Sequence, residues 1–362
     1  MWLVPALRFP EFSREWKRHK LSEICSFYSG GTPSSSKKEF YNGNIPFIRS
    51  GELHKDKTEL FITEDGLNSS AAKLVEIGDL LLALYGATSG DIAISKIKGA
   101  INQAILCIRT KQNKKFIESV WNKHVERLLQ TYLQGGQGNL SADIVKNIPF
   151  YFADLEEQDK LANFISLLDE RISTQNKIIE KLESLIKGIA HLVAGMGKPN
   201  IRIAECLECT SSTLQESEVS DLGTYPVYGA NGIVGYLDSY NTSDEAIYIV
   251  KDGSGVGSVI YVKGRCSATG TLNILTAKQD YSLQFLYYLL RVFNYDPYKT
   301  GMAIPHIYFK DYGKAKIFCP PYAGQLRYAQ MLDAIDTKLL TEQKFLISLN
   351  CQKQYLLRQM FI

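Results

Sequence analysis

The chain has 362 residues, more than one hydrophobic core ordinarily serves, so two or more domains are expected. Apolar residues make up 45% and charged residues 22%, which excludes a mainly disordered, collagen-like or disulfide-scaffold protein. Lys and Arg total 41 against 38 Asp and Glu, and a net charge of +3 is too small for a protein that coats nucleic acid by charge alone.

Near the start, Pro5 and Arg8 interrupt a short apolar stretch that lacks a basic leader and a long apolar segment. The longest apolar run, near Leu80–Tyr85, is far below the ~20 residues a membrane-spanning helix needs. No membrane contact is expected. Seven scattered cysteines, an odd number, suit a reduced, cytoplasmic protein. Cys206-x-x-Cys209 is a tight pair with no second Cys or His pair to complete a zinc site, so no metal is expected.

A first domain is expected over about residues 16–153. It contains an apolar strand at Leu80–Ala83, a glycine-rich turn through Gly86 and Gly90, and a second strand over Asp91–Ile97. Next comes a sustained heptad pattern. Leu161, Ile165, Leu168, Ile172, Ile179, Leu182, Ile186 and Ile189 alternate at spacings of four and three, with Gln175 at the missing step. The helix stops cleanly at Ala194-Gly195-Met196-Gly197-Lys198-Pro199. A second domain follows, with a strand at Ile247–Val250, Gly253 and Gly257 in a turn, and a strand over Ser258–Lys263. After Pro320-Pro321 a second heptad helix begins. Its seam is Tyr328, Leu332, Ile335, Leu339, Glu342, Leu346, Leu349, Lys353 and Leu356, the first seam displaced by 167 residues. The same offset maps Gln158 on Gln325, Asp169 on Asp336, Gly86 on Gly253 and Gly90 on Gly257, so the chain is an internal repeat.

The expected fold class is therefore α+β: two mixed α/β domains separated by two long helices that form an antiparallel coiled coil, in a pseudo-twofold repeat. Antiparallel pairing brings the fifth layers, Gln175 and Glu342, together at the centre and fixes the register. The nine layers span 28 residues, about 42 Å of helix, a length suited to a spacer between the domains.

Catalytic signatures are missing. The nearest approach to an adenine-methyltransferase motif, Asp296-Pro297-Tyr298, lacks the second proline. Gly253-Ser254-Gly255-Val256-Gly257-Ser258 departs from G-x-G-x-x-G at its last position, and there is no phosphate-binding G-x-x-x-x-G-K loop. The five histidines show no ligand or nucleophile spacing. Polar, glycine-bearing loops held on a scaffold are the candidates for contact with DNA. In the first domain they supply Lys37, Lys38, Arg49, Tyr85, Thr88, Ser89, Gln137 and Asn139. In the second they supply Tyr228, Asn231, Lys251, Ser254, Arg265, Thr269, Thr271 and His306.

Several stretches carry a resemblance. They are Pro5-Ala6-Leu7-Arg8-Phe9-Pro10-Glu11-Phe12 leading to Trp16, Lys20-Leu21-Ser22-Glu23-Ile24 before Gly30-Gly31-Thr32-Pro33-Ser34, Gly78-Asp79-Leu80-Leu81, and Asn102-Gln103-Ala104. Leu155-Glu156-Glu157-Gln158 opens the first helix, and Tyr225-Pro226-Val227-Tyr228-Gly229-Ala230-Asn231-Gly232-Ile233 marks the second domain. In this order the chain resembles the specificity subunit of type I restriction-modification systems over essentially its whole length. The resemblance implies an N-terminal segment (1–15), a first target-recognition domain (16–153), a central conserved helix (154–196), a second recognition domain (197–320) and a C-terminal conserved helix (321–362). Each domain would read half of a split double-stranded DNA target. The helices would set the spacer and dock two modification (methyltransferase) subunits, with restriction/motor subunits completing the complex. Cofactors would then be absent here, and SAM, ATP and Mg would belong to the partners. The second helix departs from the pattern, opening with Ala323-Gly324-Gln325 and placing Lys353 in its seam. The competing classes are a stand-alone DNA methyltransferase or nuclease, and a coiled-coil scaffold with no DNA role.

Overall fold

The computed structural model describes residues 4–133, 140–301 and 304–362. It divides into two compact units. One takes the chain through Thr174 together with Leu346–Ile362, and the other is Gln175–Phe345. The expected boundaries near 153 and 320 fall where the long helices begin, but each helix is shared between the two units.

In the first unit the strands are β1 (Lys17–Lys20), β2 (Cys25–Ser29), β3 (Tyr41–Ile48), β4 (Phe61–Ile62), β5 (Lys73–Val75), β6 (Leu80–Ala83), β7 (Ile92–Ile94), β8 (Gly99–Ile101) and β9 (Ile105–Thr110). Helix α1 (Lys114–Leu133), strand β10 (Pro149–Phe152) and the first half of α2 (Leu155–Gly195) complete it. One sheet has the order β2-β9-β6-β7 and the other β4-β3-β8-β5, while β1 pairs with β10. The first sheet is apolar on both faces: Leu80 and Leu82 join Trp16, Phe116 and Trp121 on one side, and Leu81 and Ala83 join Ile48 and Ile101 on the other. Buried on both sides, β6 reads as a continuous apolar run.

The second unit repeats this plan. Its elements are β11 (Ile201–Arg202), β12 (Leu207–Ser211), β13 (Tyr225–Gly229), β14 (Gly232–Leu237), β15 (Glu245–Val250), β16 (Val259–Lys263), β17 (Ser267–Ala268), β18 (Leu272–Ala277), α3 (Leu283–Arg291), β19 (Lys316–Ile317) and α4 (Tyr322–Met360). The sheets are β12-β18-β15-β16 and β14-β13-β17, with β11 paired to β19. Both units contain one parallel pair in the second of these sheets, β3 with β8 in a sheet of four strands and β13 with β17 in a sheet of three.

The glycine turns match bond for bond. Gly90 N–H donates to Ala83 O at 2.8 Å and Gly257 N–H to Val250 O at 2.9 Å, while Ser89 N–H meets Gly86 O and Val256 N–H meets Gly253 O. All four glycines lie at φ between 86° and 92°, a region L side chains avoid, so glycine is required at each. One expected strand is shorter than anticipated. Beyond Ile94, Ser95 Oγ donates to Ile97 O and accepts from Ile97 N–H, which closes a turn and ends β7.

The heptad seams are shielded throughout. Leu161, Ile165, Gln175, Ile179 and Ile186 are buried, and Leu168, Ile172 and Leu182 are half-buried. On α4, Leu332, Leu339 and Leu349 are buried, and Ile335, Glu342 and Leu346 are half-buried. In the first unit the start of α2 meets the end of α4: Leu161 and Ile165 share a core with Leu357 and Met360, and Lys353 pairs with Asp169 at 2.5 Å. In the second unit the end of α2 meets the start of α4, with Val193 and Ala329 in one core. The segments thus pair in opposite directions in both. Gln175 and Glu342 do meet, with Gln175 Nε2 donating to Glu342 O at 3.1 Å and to the Glu342 carboxylate. A buried polar layer of this kind specifies register at a cost in stability. Replacing both residues with Leu is expected to raise unfolding stability by about 1–2 kcal/mol in a denaturant titration. A loss of stability would contradict this account of the layer.

Candidate nucleic-acid interface

The motif residues anchor the recognition scaffold. Arg8 donates both Nε and Nη2 to Glu157 at 2.7 Å, and Trp16 Nε1 reaches the same carboxylate at 3.2 Å. Glu157 is 2% exposed, so the segment around Arg8 neutralises a buried charge at the opening of α2. Gly30 lies so close to the backbone at Ile101 that a Cβ there would fall 1.7 Å from its carbonyl oxygen. The two equivalent glutamines work alike. Gln158 Nε2 donates to Ala153 O at 2.7 Å while its carbonyl accepts from the Asn113 N–H, just ahead of α1. Gln325 Nε2 donates to Pro320 O at 3.0 Å while its carbonyl accepts from the N–H of Ser282, the N-cap of α3. The aspartates also match: Asp169 pairs with Lys115 on α1, and Asp336 with Arg291 on α3. Each domain is thereby fastened to its long helix by a buried glutamine and an ion-paired aspartate.

On this scaffold the predicted contact residues divide into three groups. Lys37, Lys38, Asn231, Ser254 and Arg265 are exposed. Lys37 lies over the Phe40 ring at 4.9 Å, and Asn231 sits at the tip of the β13–β14 hairpin. Others are already engaged. Arg49 is exposed but clasps Glu52 through Nε and Nη2 at 3.1 and 2.8 Å. Ser89 Oγ donates to Leu84 O at 2.9 Å and closes the glycine turn, with Thr88 and Tyr85 half-buried beside it. Tyr228 packs edge-on against Tyr248 at 5.8 Å and is half-buried in the second core. His306 Nδ1 bonds Asp252 at 2.7 Å. Finally, Thr269 is 1% exposed and its hydroxyl faces that of Thr271, so its side chain is buried in this structure. Gln137 and Asn139 lie outside the described residues.

The structure brings five of the second-domain candidates to one end. Lys251 N–H donates to Thr271 O, Ile307 N–H to Lys251 O, Gly253 N–H to Pro305 O, and Thr269 N–H to Tyr228 O. Beside His306, these bonds knit the loops at 251–255, 269–271 and 304–306 into one surface. The first domain shows the counterpart, with Leu84 N–H donating to Ala104 O at 2.8 Å. Among the described residues no cluster of three or more His, Cys, Asp or Glu could hold a metal ion, and no helix is long and apolar enough to cross a membrane.

The Arg49–Glu52 pair has a measurable consequence. The Arg49 guanidinium, more than burial opposes it, holds the Glu52 carboxyl at about 2 against an ordinary value of 4.5. A depressed native pKa adds stability above the unfolded value, and that stability is lost as pH falls toward 2. Between pH 5 and pH 3 the wild type is expected to lose about 2 kcal/mol more than Glu52→Gln in urea titrations. Equal losses would contradict the assignment.

Two partners of Arg265 escaped the sequence reading. Tyr225 comes to it through the parallel β13–β17 pair and Tyr240 through the bonds of Asn241 and Thr242 to Ala268 and Cys266, pairings that residue order does not announce.

Comparison with known proteins gives the context. The family profile for the type I restriction modification DNA specificity domain matches residues 13–184 and again 201–350. The specificity subunit of the type I restriction enzyme EcoprrI from Escherichia coli is 23% identical over 352 residues, covering 88% of this chain and 86% of that one. The EcoR124I/EcoR124II specificity subunit, also from Escherichia coli, is 28% identical over 187 residues, covering 49% of this chain and 45% of that one. Among solved structures, the S subunit of a type I restriction-modification system from M. genitalium shares the fold at a TM-score of 0.66 and 18% identity, over 99% of both chains. With two matched domains spanning most of its length, this chain belongs to the type I restriction-modification DNA specificity family.

Proposed function

We propose that the chain is the non-catalytic DNA-specificity subunit of a type I restriction-modification complex, and that each domain reads one half of a bipartite duplex target. The observation that carries this is the duplication itself. Two domains whose main sheets share one strand order, β2-β9-β6-β7 and β12-β18-β15-β16, present the same glycine turn, and each is locked to a long helix through an equivalent glutamine. Two such readers on a paired helix suit two half-sites and a fixed spacer.

Charge points to shared labour with partners. Residues 1–150 carry a net +5, but residues 197–321 carry −1, so phosphate contact by the second domain depends on local loops or on other subunits. Weak DNA binding by the chain alone is the corresponding expectation. The helices also offer a surface for modification subunits. Ile178, Leu185 and Leu192 repeat every seven residues on α2 and are exposed, outside the buried seam. Such a stripe fits an apolar helix of a partner.

The test uses the purified chain with a modification subunit from the same system, labelled SAM and duplex DNA. Neither protein alone is expected to methylate specifically, and the mixture is. Methylation by the chain alone would favour a stand-alone enzyme. Unchanged methylation without the chain would favour a scaffold. Changing Ile178, Leu185 and Leu192 to Lys together is expected to abolish co-purification with that subunit while leaving thermal unfolding within a few degrees of wild type.

A further inference from the structure

Some cations of the second domain are held by acidic neighbours. Lys299 is paired with Asp296 at 2.8 Å and Arg291 with Asp336 at 3.6 Å. Arg265 is different: it is exposed, and among the described residues it makes no ion pair. Its guanidinium lies 5.1 Å from the centre of the Tyr240 ring, and Nη1 makes a long hydrogen bond of 3.4 Å to the Tyr225 hydroxyl. The two tyrosine rings meet edge to face at 5.1 Å.

The support beneath this trio is built, not incidental. Val227 of β13 is paired with Ser267 of β17 in parallel, and Arg265, two residues ahead of β17, reaches Tyr225 at the start of β13. Gly264, at φ 80°, makes the turn that delivers the arginine. On its other side Cys266 exchanges two backbone hydrogen bonds with Thr242, at 2.9 and 3.0 Å. The Asn241 side chain accepts from Ala268 N–H at 3.0 Å and donates to Ala268 O at 3.1 Å, which fixes the loop carrying Tyr240. Below, the buried Tyr248 hydroxyl joins Thr242 Oγ1 at 2.6 Å and Cys266 Sγ at 3.2 Å.

We infer that Arg265, held in place by Tyr225 and Tyr240, is a base-reading residue of the second domain and selects a guanine in its half-site. This rests on the reading of residues 197–320 as a DNA-recognition domain. A phosphate is met by a mobile lysine as well as by an arginine fork, so charge alone does not call for a positioned guanidinium. A planar fork laid against a ring face and a hydroxyl is partly pre-oriented, so it gives up less freedom on pairing. That geometry suits the two acceptors, O6 and N7, that guanine presents in the major groove. Tyr225 and Tyr240 are positioning residues, acting through the guanidinium.

The experiment selects bound duplexes from a randomised library, using the full chain in complex with its modification subunit. Wild type is expected to enrich a two-part motif with a guanine in the half assigned to the second domain by domain exchange. Arg265→Lys keeps the charge and is expected to lower preference for that one guanine by about 5- to 150-fold, leaving other positions unchanged. Tyr240→Leu is expected to relax the same position partially, with thermal unfolding unchanged. An unaltered motif in Arg265→Lys overturns the proposal. So does uniform weakening of Arg265→Ala at all positions with a shallower salt dependence, the signature of a phosphate contact. A wild-type complex that enriches no half-site overturns the recognition reading, and the Arg265 assignment falls with it.

Discussion

Exchanging residues 16–153 for the equivalent domain of another family member is expected to change one half of the methylated target and to leave the other half intact. The first unit has its own two-faced sheet, and its motif segments anchor it to α2 and α4 from within. The loops of the second unit are tied to one another at 251–255, 269–271 and 304–306. Methylation at the original target should fall about 100-fold or more, since several base pairs of one half are now mismatched and each costs about 1–3 kcal/mol. Sequencing of methylated sites in cells carrying the exchanged chain measures this. A change in both halves would mean that the domains do not read independently.

Lengthening both helices by one heptad is the second large effect. Seven residues inserted between Ile172 and Ser173, and seven between Phe345 and Leu346, keep Gln175 opposite Glu342 and Asp169 opposite Lys353. The helices then grow by about 10 Å, the rise of about three base pairs. Methylation at the original spacing is expected to disappear. Residual activity should move to targets with a spacer longer by about three pairs, limited by the extra twist of the DNA. Full activity at the original spacing would show that the helices do not measure the gap.

The periodic parts of this fold were legible in the residues. The heptad seams predicted from spacing are buried or half-buried at every position, because a two-faced helix has one apolar stripe to hide. The 167-residue repeat was legible at Gly86, Gly90, Gly253 and Gly257, since a positive φ admits few substitutes. Gln158 and Gln325 stood out as an identity, though not as the fastening of each domain to its helix. Contact residues were harder. Thr269 looks like any polar loop residue, and neither its burial nor its backbone bond to the distant Tyr228 is announced by its neighbours in sequence. Arg49 has its partner three positions away at Glu52, a spacing that could have signalled an ion pair. The tyrosines around Arg265 are distant in sequence, and their convergence is a property of long-range pairing rather than of any local pattern.

The most direct measurement maps methylated adenines across the genome in cells with and without this chain, the modification subunit being present in both. The account predicts that a single split motif, two short halves separated by a fixed spacer, loses methylation when the chain is removed and regains it on complementation. Methylation unchanged by removal of the chain, or loss confined to an unsplit motif, would contradict it.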